Sequence, residues 1–400
     1  MSRKQYKWIL VALLWVVALL NYLDRQIIFS VFPLLKADLQ VSDVQLGFLG
    51  TAFLWVYGLL SPCGGYIADR FGRRRVILLS LAVWSAVTWL TGHSHGYGQL
   101  VAARGLMGIS EACYLPAALA LIADYHGDRS RSKATGLHQS GLYAGIALGG
   151  VAGGWMGDRY GWRAAFVVLG IAGIVYAVVL AFGLKESPAQ TVPADRGIPF
   201  GAALRELLTS REFLVVVGVN SLVSTAYWCV YTWLAVYLFE RFQMSLTVAG
   251  FSSTFYIQAA SFGGILLGGW IADRWARSDS RGRAFTQTIG LAAAGPFLFL
   301  IGTTGSRWVL LPCLVLFGLG RGFYDCNLMP VVCQIVSTKL RATAYGVLNC
   351  TSCLVGGGMA LAGGVLKEWI GLGAALQISA VMLVAAGLWL LWGRSPTSPA

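Results

Sequence analysis

The stretch that decides the fold is Gly65-Tyr66-Ile67-Ala68-Asp69-Arg70-Phe71-Gly72-Arg73-Arg74-Arg75. A degenerate copy follows 204 positions later and reads Gly269-Trp270-Ile271-Ala272-Asp273-Arg274. Each stretch occupies a short polar interval between long apolar runs. A charged motif that recurs once in the same orientation among apolar runs indicates a chain built from two parallel halves.

The composition is that of a membrane protein. Hydrophobic residues make up 57% of the 400 residues and charged residues only 12%, whereas soluble domains carry about 25% charged residues. Twelve apolar runs each reach the length of about 18 residues that crosses a bilayer. The sequence therefore predicts an all-α polytopic protein of twelve transmembrane helices in two pseudo-symmetric bundles, at 1–184 and 213–400, joined by a cytoplasmic linker at 185–212.

The basic residues predict the orientation of these helices. If the N-terminus is cytoplasmic, 21 of the 30 Lys and Arg residues fall on that side, six fall on the other, and Arg25, Arg104 and Arg321 lie within helices. This positive-inside bias puts both termini in the cytoplasm of a bacterial inner membrane. It also accounts for the net charge of +13 without a nucleic-acid partner.

Charges inside the apolar runs are the first candidates for a functional site. The first run contains Asp24 and Arg25, and the fourth contains Arg104 and Glu111, which are seven residues apart on one helix face. A charge in a membrane helix is costly and usually faces the bundle interior or a water-filled cavity. A carboxylate among arginines can hold or release a proton as neighbouring charge changes, although a static ion-pair network between helices remains an alternative.

The tenth run carries a second charged pair, Arg321 and Asp325, four residues apart. The two can pair with each other on one helix face, or Arg321 can supply a cationic contact to an anion while Asn327 adds hydrogen bonds. Both interpretations stay open. Other candidates for the cavity wall, each with simple packing as its alternative, are Gln139, Tyr143, Tyr231 and Asn349.

Other function classes lack a sequence signal. Most of the eight Cys residues lie in apolar runs, including the Cys350 and Cys353 pair, and we expect them to pack as small apolar side chains. We find no nucleotide-binding motif, metal-ligand cluster or nucleophile triad, so the sequence predicts no enzyme, cofactor or metal. A membrane sensor would need an appended soluble domain, and only short loops and tails are present. Transport energy should then come from an ion gradient.

The motif at residues 65–75 resembles the signature loop of the major facilitator superfamily. In that family the loop acts as a conformational latch, which implies this role for Gly65, Asp69, Arg70, Gly72, Arg73, Asp273 and Arg274. The helix stretch from Arg104 to Pro116, with Asp24, Arg25 and Tyr57, resembles the anion:cation symporter branch. That likeness implies that Asp24 and Glu111 carry protons, that Arg25 helps to gate the cavity, that Arg104 tunes Glu111 or meets the anion, and that Tyr57 hydrogen-bonds the substrate.

The predicted function is proton-coupled symport of a sugar acid or other small carboxylate by a monomer in the lipid bilayer. Many members of the symporter branch have an aromatic-Pro pair where this chain reads Ala123-Asp124-Tyr125-His126. That region and the shared Asp, Arg and Glu positions also resemble Spinster-type lipid transporters. A Spinster-like carrier of lysolipids or other amphiphiles is therefore the alternative.

Overall fold

The computed structural model describes residues 3–126, 128–186, 199–279, 281–337 and 340–393, and these parts of the chain form fifteen helices. The first eight are α1 (Arg3–Ser30), α2 (Phe32–Leu39), α3 (Asp43–Phe71), α4 (Arg73–Thr91), α5 (Tyr97–Ala112), α6 (Tyr114–Tyr125), α7 (Asp128–Tyr160) and α8 (Trp162–Gly183). The others are α9 (Phe200–Thr209), α10 (Arg211–Phe242), α11 (Leu246–Trp275), α12 (Gly282–Thr303), α13 (Arg307–Ile335), α14 (Arg341–Trp369) and α15 (Gly371–Gly393).

Eleven segments of the described chain are long and apolar enough to cross a membrane. They include α5 and α6 together as one segment, and they leave out the short α2 and α9. Helix α7 is also left out, although its 33 residues exceed the length of a membrane crossing. Polar residues and many glycines lower its hydropathy. With α7 as the twelfth crossing, the predicted twelve-helix architecture is confirmed.

The fourth apolar run, which the sequence predicts to be one helix over residues 98–125, is broken after Ala112. Helix α5 ends at Ala112, Cys113 takes a turn conformation, and α6 begins at Tyr114. Pro116 has no N–H for the carbonyl of Ala112, and its ring clashes with a helical carbonyl four residues earlier. A β-carbon on Gly64 of α3 would overlap that same carbonyl oxygen. The break therefore lies at a close contact between α3 and α5, directly after a buried acid.

A glycine stripe on α7 explains both its low hydropathy and its packing. The glycines recur every fourth residue and face α1, where β-carbons would press on the carbonyl oxygens of successive turns. They are Gly141, Gly145, Gly149 and Gly153, against Trp15, Leu19, Leu23 and Ile27. Small residues at this spacing let two membrane helices approach backbone to backbone. The stripe fixes the register of α1, and with it the depth of Asp24 and Arg25.

The chain divides into two compact units, Met1–Ala194 with Gln243–Thr254, and Asp195–Phe242 with Phe255–Ala400. The first turns of α11 belong to the first unit because α7 holds them. Asp158 of α7 accepts hydrogen bonds from the backbone N–H of Leu246 and Thr247, at 3.2 and 2.8 Å, and so caps the start of α11. Gly154 of α7 lies directly against the Leu246 carbonyl.

The second unit is also built on close glycine contacts. In α12 and α13, β-carbons on Gly290 and Gly320 would each overlap the other's carbonyl oxygen. Helix α9 packs Ala203 and Leu207 into an apolar cluster with Phe213 of α10. This helix lies inside the predicted linker, most of whose residues before it, at 187–198, are outside the described residues. The predicted domain boundaries themselves stay a prediction.

Candidate functional site

The first unit contains a buried ion pair between two membrane helices. Arg25 of α1 donates from Nε to Oε2 of Glu111 in α5, at 2.6 Å. The side chain of Glu111 is fully buried, and that of Arg25 is 12% exposed. A buried carboxylate with a single strong ionic partner is stable only while that partner stays in place. Protonation of Glu111 would therefore leave Arg25 without its ionic partner.

Three aromatic rings surround the Arg25 guanidinium. Its Cζ lies 4.7, 4.9 and 4.3 Å from the ring centroids of Tyr22, Phe53 and Tyr57. Ring faces attract cations, and more strongly where water is excluded. Gly108 of α5 makes this arrangement possible, because a β-carbon there would collide with the α3 backbone at Phe53 and Tyr57. Tyr57, predicted as a substrate contact, thus lies against Arg25.

Arg104 is a buried cation without an ion pair among the described contacts. It is fully buried, stacks over Phe53 at 4.8 Å, and donates from Nη1 to the sulfur of Met107 at 3.4 Å. Its Nε and Nη2 have no hydrogen-bond partner among the described residues. Its positive charge acts on both Asp24 and Glu111. The described contacts include no direct ion pair between Arg104 and either acid. The described residues therefore leave both donors unsatisfied.

Asp24 is buried beside this group, with 4% of its surface exposed. Its Oδ2 accepts a hydrogen bond from the hydroxyl of Thr88 in α4, at 3.0 Å, and its Oδ1 has no partner among the described atoms. The negative charges of Asp24 and Glu111 repel each other. Thr88 and Phe53 complete the group, which we call the N-terminal cluster: Asp24, Arg25, Phe53, Tyr57, Thr88, Arg104 and Glu111. The sequence did not predict Thr88 and Phe53 as members of the site, since Thr and Phe are common in membrane helices.

Helix α7 carries two further predicted contacts, Gln139 and Tyr143, on one face. Both are half-buried, and Oε1 of Gln139 has no hydrogen-bond partner within the described chain. The neighbouring His138 is fully buried and lies 2.9 Å from the hydroxyl of Tyr114, which donates to the Leu14 carbonyl. His138 is thereby tied to a structural hydrogen bond between helices, whereas Gln139 keeps a free acceptor.

A second polar group lies in the second unit, on α10, α11 and α13. Arg321 and Asp325 form an ion pair at 3.2 Å, as their spacing suggested. The Arg321 guanidinium lies 5.0 and 4.9 Å from the rings of Tyr227 and Tyr231. Gln258 of α11 donates from Nε2 to the hydroxyl of Tyr231 at 3.0 Å. We call Tyr227, Tyr231, Gln258, Arg321 and Asp325 the C-terminal cluster.

Two asparagines were predicted as substrate contacts in the second unit, Asn327 on α13 and Asn349 on α14. Nδ2 of Asn327 donates to the Phe323 carbonyl at 3.0 Å within its own helix, while its buried Oδ1 has no partner among the described atoms. Six residues from Arg321, it lies on a different face of α13. Asn349 is half-buried on α14. The described hydrogen bonds thus tie Asn327 to its own helix and not to the C-terminal cluster.

The predicted latch is described in part. Gly72 has a φ of 93° between α3 and α4, a left-handed conformation that favours glycine. Arg73 pairs with Asp124 of α6 and donates to the Ala120 carbonyl at 3.0 Å. Arg70 donates to the hydroxyl of Tyr66 at 3.1 Å. The surroundings of Gly65 and the side chain of Asp69 lie outside what the structure describes.

In the repeated copy of the motif, Asp273 pairs with Arg283 of α12 at 2.8 Å and Arg274 is exposed. Both copies therefore hold an ion pair or a hydrogen bond at the junction of two helices. Across the described part of the chain, no group of three or more His, Cys, Asp or Glu residues could hold a metal ion.

Known proteins share this architecture. The Major Facilitator Superfamily profile matches residues 14–360. The probable galactarate/D-glucarate transporter GudP of Bacillus subtilis is 27% identical over 353 residues, covering 80% of this chain and 77% of that protein. The D-galactonate transporter of Escherichia coli O6:H1 is 25% identical over 416 residues, covering 96% and 95%.

A solved structure supports the fold. The crystal structure of a bacterial homologue of the human lysosomal transporter Spinster, inward-facing and unoccupied, superimposes with a TM-score of 0.78 at 23% identity, covering 98% of this chain and 96% of that one. At this identity the likeness concerns the fold alone. The family profile covers most of the chain, and the relatives are transporters and not enzymes. The chain is a multi-pass membrane transporter and belongs to the major facilitator superfamily.

Proposed function

We propose that this protein is a proton-coupled symporter of a small organic anion, a sugar acid, that works by alternating access. The observation that carries the proposal is the N-terminal cluster, which buries two carboxylates and two arginines in apolar helices. A charge in this position is rare and usually functional. The sugar-acid transporters among the relatives support the choice of substrate class.

The charges of the cluster link proton binding to anion binding. With Asp24 and Glu111 both ionised, their charges cancel those of Arg25 and Arg104, and an anion gains little by entering. When one of the two acids binds a proton, the cluster gains a net positive charge. That charge favours a monoanion at close range in a medium of low dielectric. Linkage is reciprocal, so a bound anion also favours the protonated state. This coupling is what symport requires.

The geometry supports different roles for the two acids. Glu111 holds Arg25 through their ion pair, so a proton on Glu111 frees the Arg25 guanidinium for the substrate. Asp24 has the Thr88 hydroxyl as its one direct partner among the described contacts, and it forms no ion pair with them. We propose that Asp24 takes up a proton from solvent and that Glu111 becomes protonated as the anion binds to Arg25.

Arg104 is the proposed primary anchor of the anion. Its Nε and Nη2 have no hydrogen-bond partner among the described residues. These two N–H groups can donate two parallel hydrogen bonds to one carboxylate. Tyr57 and Gln139 are proposed to add polar contacts from α3 and α7. The protein would act as a monomer in a bacterial inner membrane with both termini cytoplasmic, as the distribution of basic residues predicts.

The Spinster-like alternative predicts an amphiphile as the substrate. Its support is the shared fold, which does not separate the two functions. An acyl chain needs an apolar surface, and the C-terminal cluster instead presents an ion pair, a buried amide and two tyrosines. This polarity favours a hydroxyl-rich substrate over a lipid tail.

Uptake by purified protein in liposomes tests the proposal. We expect uptake of radiolabelled D-galactonate, galactarate, D-gluconate or D-glucarate to depend on an inward proton gradient and to collapse with a protonophore. Lysophosphatidylcholine and lysophosphatidylethanolamine serve as the second panel. Proton-independent uptake, or transport of the lysolipids alone, would reject the proposed function.

A further inference from the structure

We propose that Asn21 is a positioning residue for Glu111, whose amide bonds this acid in both protonation states by donating to the carboxylate and by accepting from the carboxylic acid. This inference rests on the proposed function and deepens it, because it names a group that sets how readily the proton-carrying acid binds its proton. Asn21 is not a member of the N-terminal cluster defined above. Its position, its unsatisfied donor and the chemistry of an amide support the role.

Asn21 lies one turn of α1 before Arg25. Residues four apart share a helix face, so Asn21 is on the same side of α1 as Arg25, whose Nε bonds Oε2 of Glu111 at 2.6 Å. Asn21 is only 1% exposed, and its side chain lies near enough to interact with the Glu111 carboxylate. Glu111 therefore has two polar neighbours from this face of α1, a guanidinium and an amide.

One atom of each partner in this contact is unsatisfied. Oε2 of Glu111 accepts from Arg25, but its buried Oε1 has no hydrogen-bond partner among the described residues. Nδ2 of Asn21 is a buried donor that likewise has no partner in the described chain. A buried polar atom without a partner costs free energy, and a hydrogen bond from Nδ2 to Oε1 would satisfy both atoms. A second donor is therefore available beside the ionised acid.

The protonated acid needs an acceptor instead. When the anion binds Arg25, the neutral carboxyl group of Glu111 carries an O–H that must donate a hydrogen bond. Arginine has only donors, so neither Arg25 nor Arg104 can accept it. An amide has an acceptor oxygen as well as two N–H donors, and rotation of the Asn21 amide exchanges the places of its two ends. Asn21 can therefore bond Glu111 in either protonation state.

The charged neighbours of Glu111 each favour one state. The two arginines stabilise the ionised acid, and the negative charge of Asp24 opposes it. A neutral amide adds no charge of its own. Between Val76 and Thr91, helix α4 has no titratable residue, and Tyr114 of α6 bonds His138 and the Leu14 carbonyl. The titratable and charged groups that face Glu111 or its partner Arg25 are Tyr22 and Asp24 of α1, Tyr57 of α3 and Arg104 of α5.

An apolar residue in place of Asn21 would affect the two states unequally. The ionised acid would keep its bond from Arg25 and lose no hydrogen bond that the described contacts include. The protonated acid would lose the acceptor for its O–H. Proton binding to Glu111 should then need a lower pH.

The test is the pH dependence of sugar-acid counterflow in proteoliposomes with the same pH on both sides. The probe is whichever of D-galactonate, galactarate, D-gluconate and D-glucarate the wild-type protein exchanges fastest. For Asn21→Leu we expect the pH of half-maximal exchange to fall by about one unit, the size of one lost hydrogen bond. A folded Asn21→Leu protein with the wild-type midpoint overturns the inference.

Asn21→Asp should shift the midpoint in the opposite direction. It keeps an acceptor and adds a second carboxylate, and two neighbouring carboxylates hold a shared proton up to a higher pH. A general loosening of the helices would not shift the two variants in opposite directions. If Asn21→Leu does not fold, Asn21→Asp decides, and an unchanged or lowered midpoint overturns the inference.

The matched control is Gln26→Leu, which removes a buried amide of the same helix that lies against Gly149 of α7. Its midpoint should equal that of the wild-type protein. In a Glu111→Gln background, Asn21→Leu should cause no further shift, because the acid it acts through is gone. An equal shift in that background overturns the inference and leaves the proposed function standing. A wild-type protein that exchanges none of the four acids rejects the proposed function, and the inference with it.

Discussion

Both polar clusters contain arginine, aspartate and tyrosine, but they differ in how their charges are compensated. In the N-terminal cluster, helices α1 and α5 each contribute one carboxylate and one arginine. Among the described contacts of these four residues, Arg25 and Glu111 form the one direct ion pair. In the C-terminal cluster, the arginine and the acid are neighbours on one turn of α13.

This difference bears on what each cluster can do. The Arg25–Glu111 pair joins two different helices, so we infer that it can open when a proton or an anion arrives. The pair on α13 shares one rigid helix and stays formed through such an event. We therefore interpret the first cluster as the part that changes its charge and the second as the part that keeps its charge and recognises shape.

The largest effect is expected from Glu111→Gln. A glutamine stays neutral, like the protonated acid, so the loaded carrier can still exchange substrate but can no longer release the proton. Net uptake driven by a proton gradient should fall to the level of protein-free liposomes, while counterflow of sugar acid persists. Asp24→Asn should behave in the same way.

Asp38→Asn is the matched control for this experiment. Asp38 also pairs with an arginine, Arg163 at 2.7 Å, but at the protein surface. Its uptake should equal that of the wild-type protein. Gradient-driven uptake that survives in both Glu111→Gln and Asp24→Asn would remove the proton-carrying role from this cluster.

A smaller effect is expected from Gln258→Leu in the C-terminal cluster. Losing a hydrogen bond to the substrate should raise the concentration for half-maximal uptake by about tenfold, corresponding to one unsatisfied polar contact. Because no charge changes, the ratio of uptake with and without a proton gradient should stay as in the wild-type protein.

Gln377→Leu in the same unit is the comparison for that variant, since Gln377 bonds only the Gly302 carbonyl, at 3.5 Å, among its described contacts. The division between the clusters is wrong if Gln258→Leu instead abolishes the dependence on the gradient while the half-maximal concentration remains unchanged.

The fold was predictable because its signals are strong. Long apolar runs, the repeated motif and the bias of basic residues each reflect the cost of placing polar groups in hydrocarbon. The break after Ala112 was missed, although Pro116 was visible in the sequence, because a proline near a helix end can be either tolerated or disruptive.

The site was predictable only where a charge marked it. Asp24, Arg25, Arg104 and Glu111 stand out in apolar helices, but the sequence suggested Arg104 as the neighbour of Glu111, on the same helix face. The structure pairs Glu111 with Arg25 instead, because glycine contacts set the depth of one helix against another. A single sequence does not contain that register. Gln258 could have been found as an amide within an apolar run.

The smallest effect concerns the surface pair of Asp38 and Arg163, which shows what burial adds to the pair of Arg25 and Glu111. Hydrogen bonds from Arg163 and from Trp162, at 2.7 and 3.1 Å, lower the pKa of Asp38 below its usual 3.8. A lowered pKa stabilises the folded state above that value, and the contribution is lost as the pH falls through the pKa of the folded protein. Asp38→Asn should therefore lower the melting temperature of the detergent-solubilised protein near neutral pH by only a degree or two, on the order expected for an exposed pair, and the difference from wild type should shrink as the pH is lowered below about 4. A large drop in melting temperature at neutral pH, or a drop that does not change with pH, would contradict this expectation. The exposed pair of Asp38 and Arg163 would then contribute as much to stability as a buried pair.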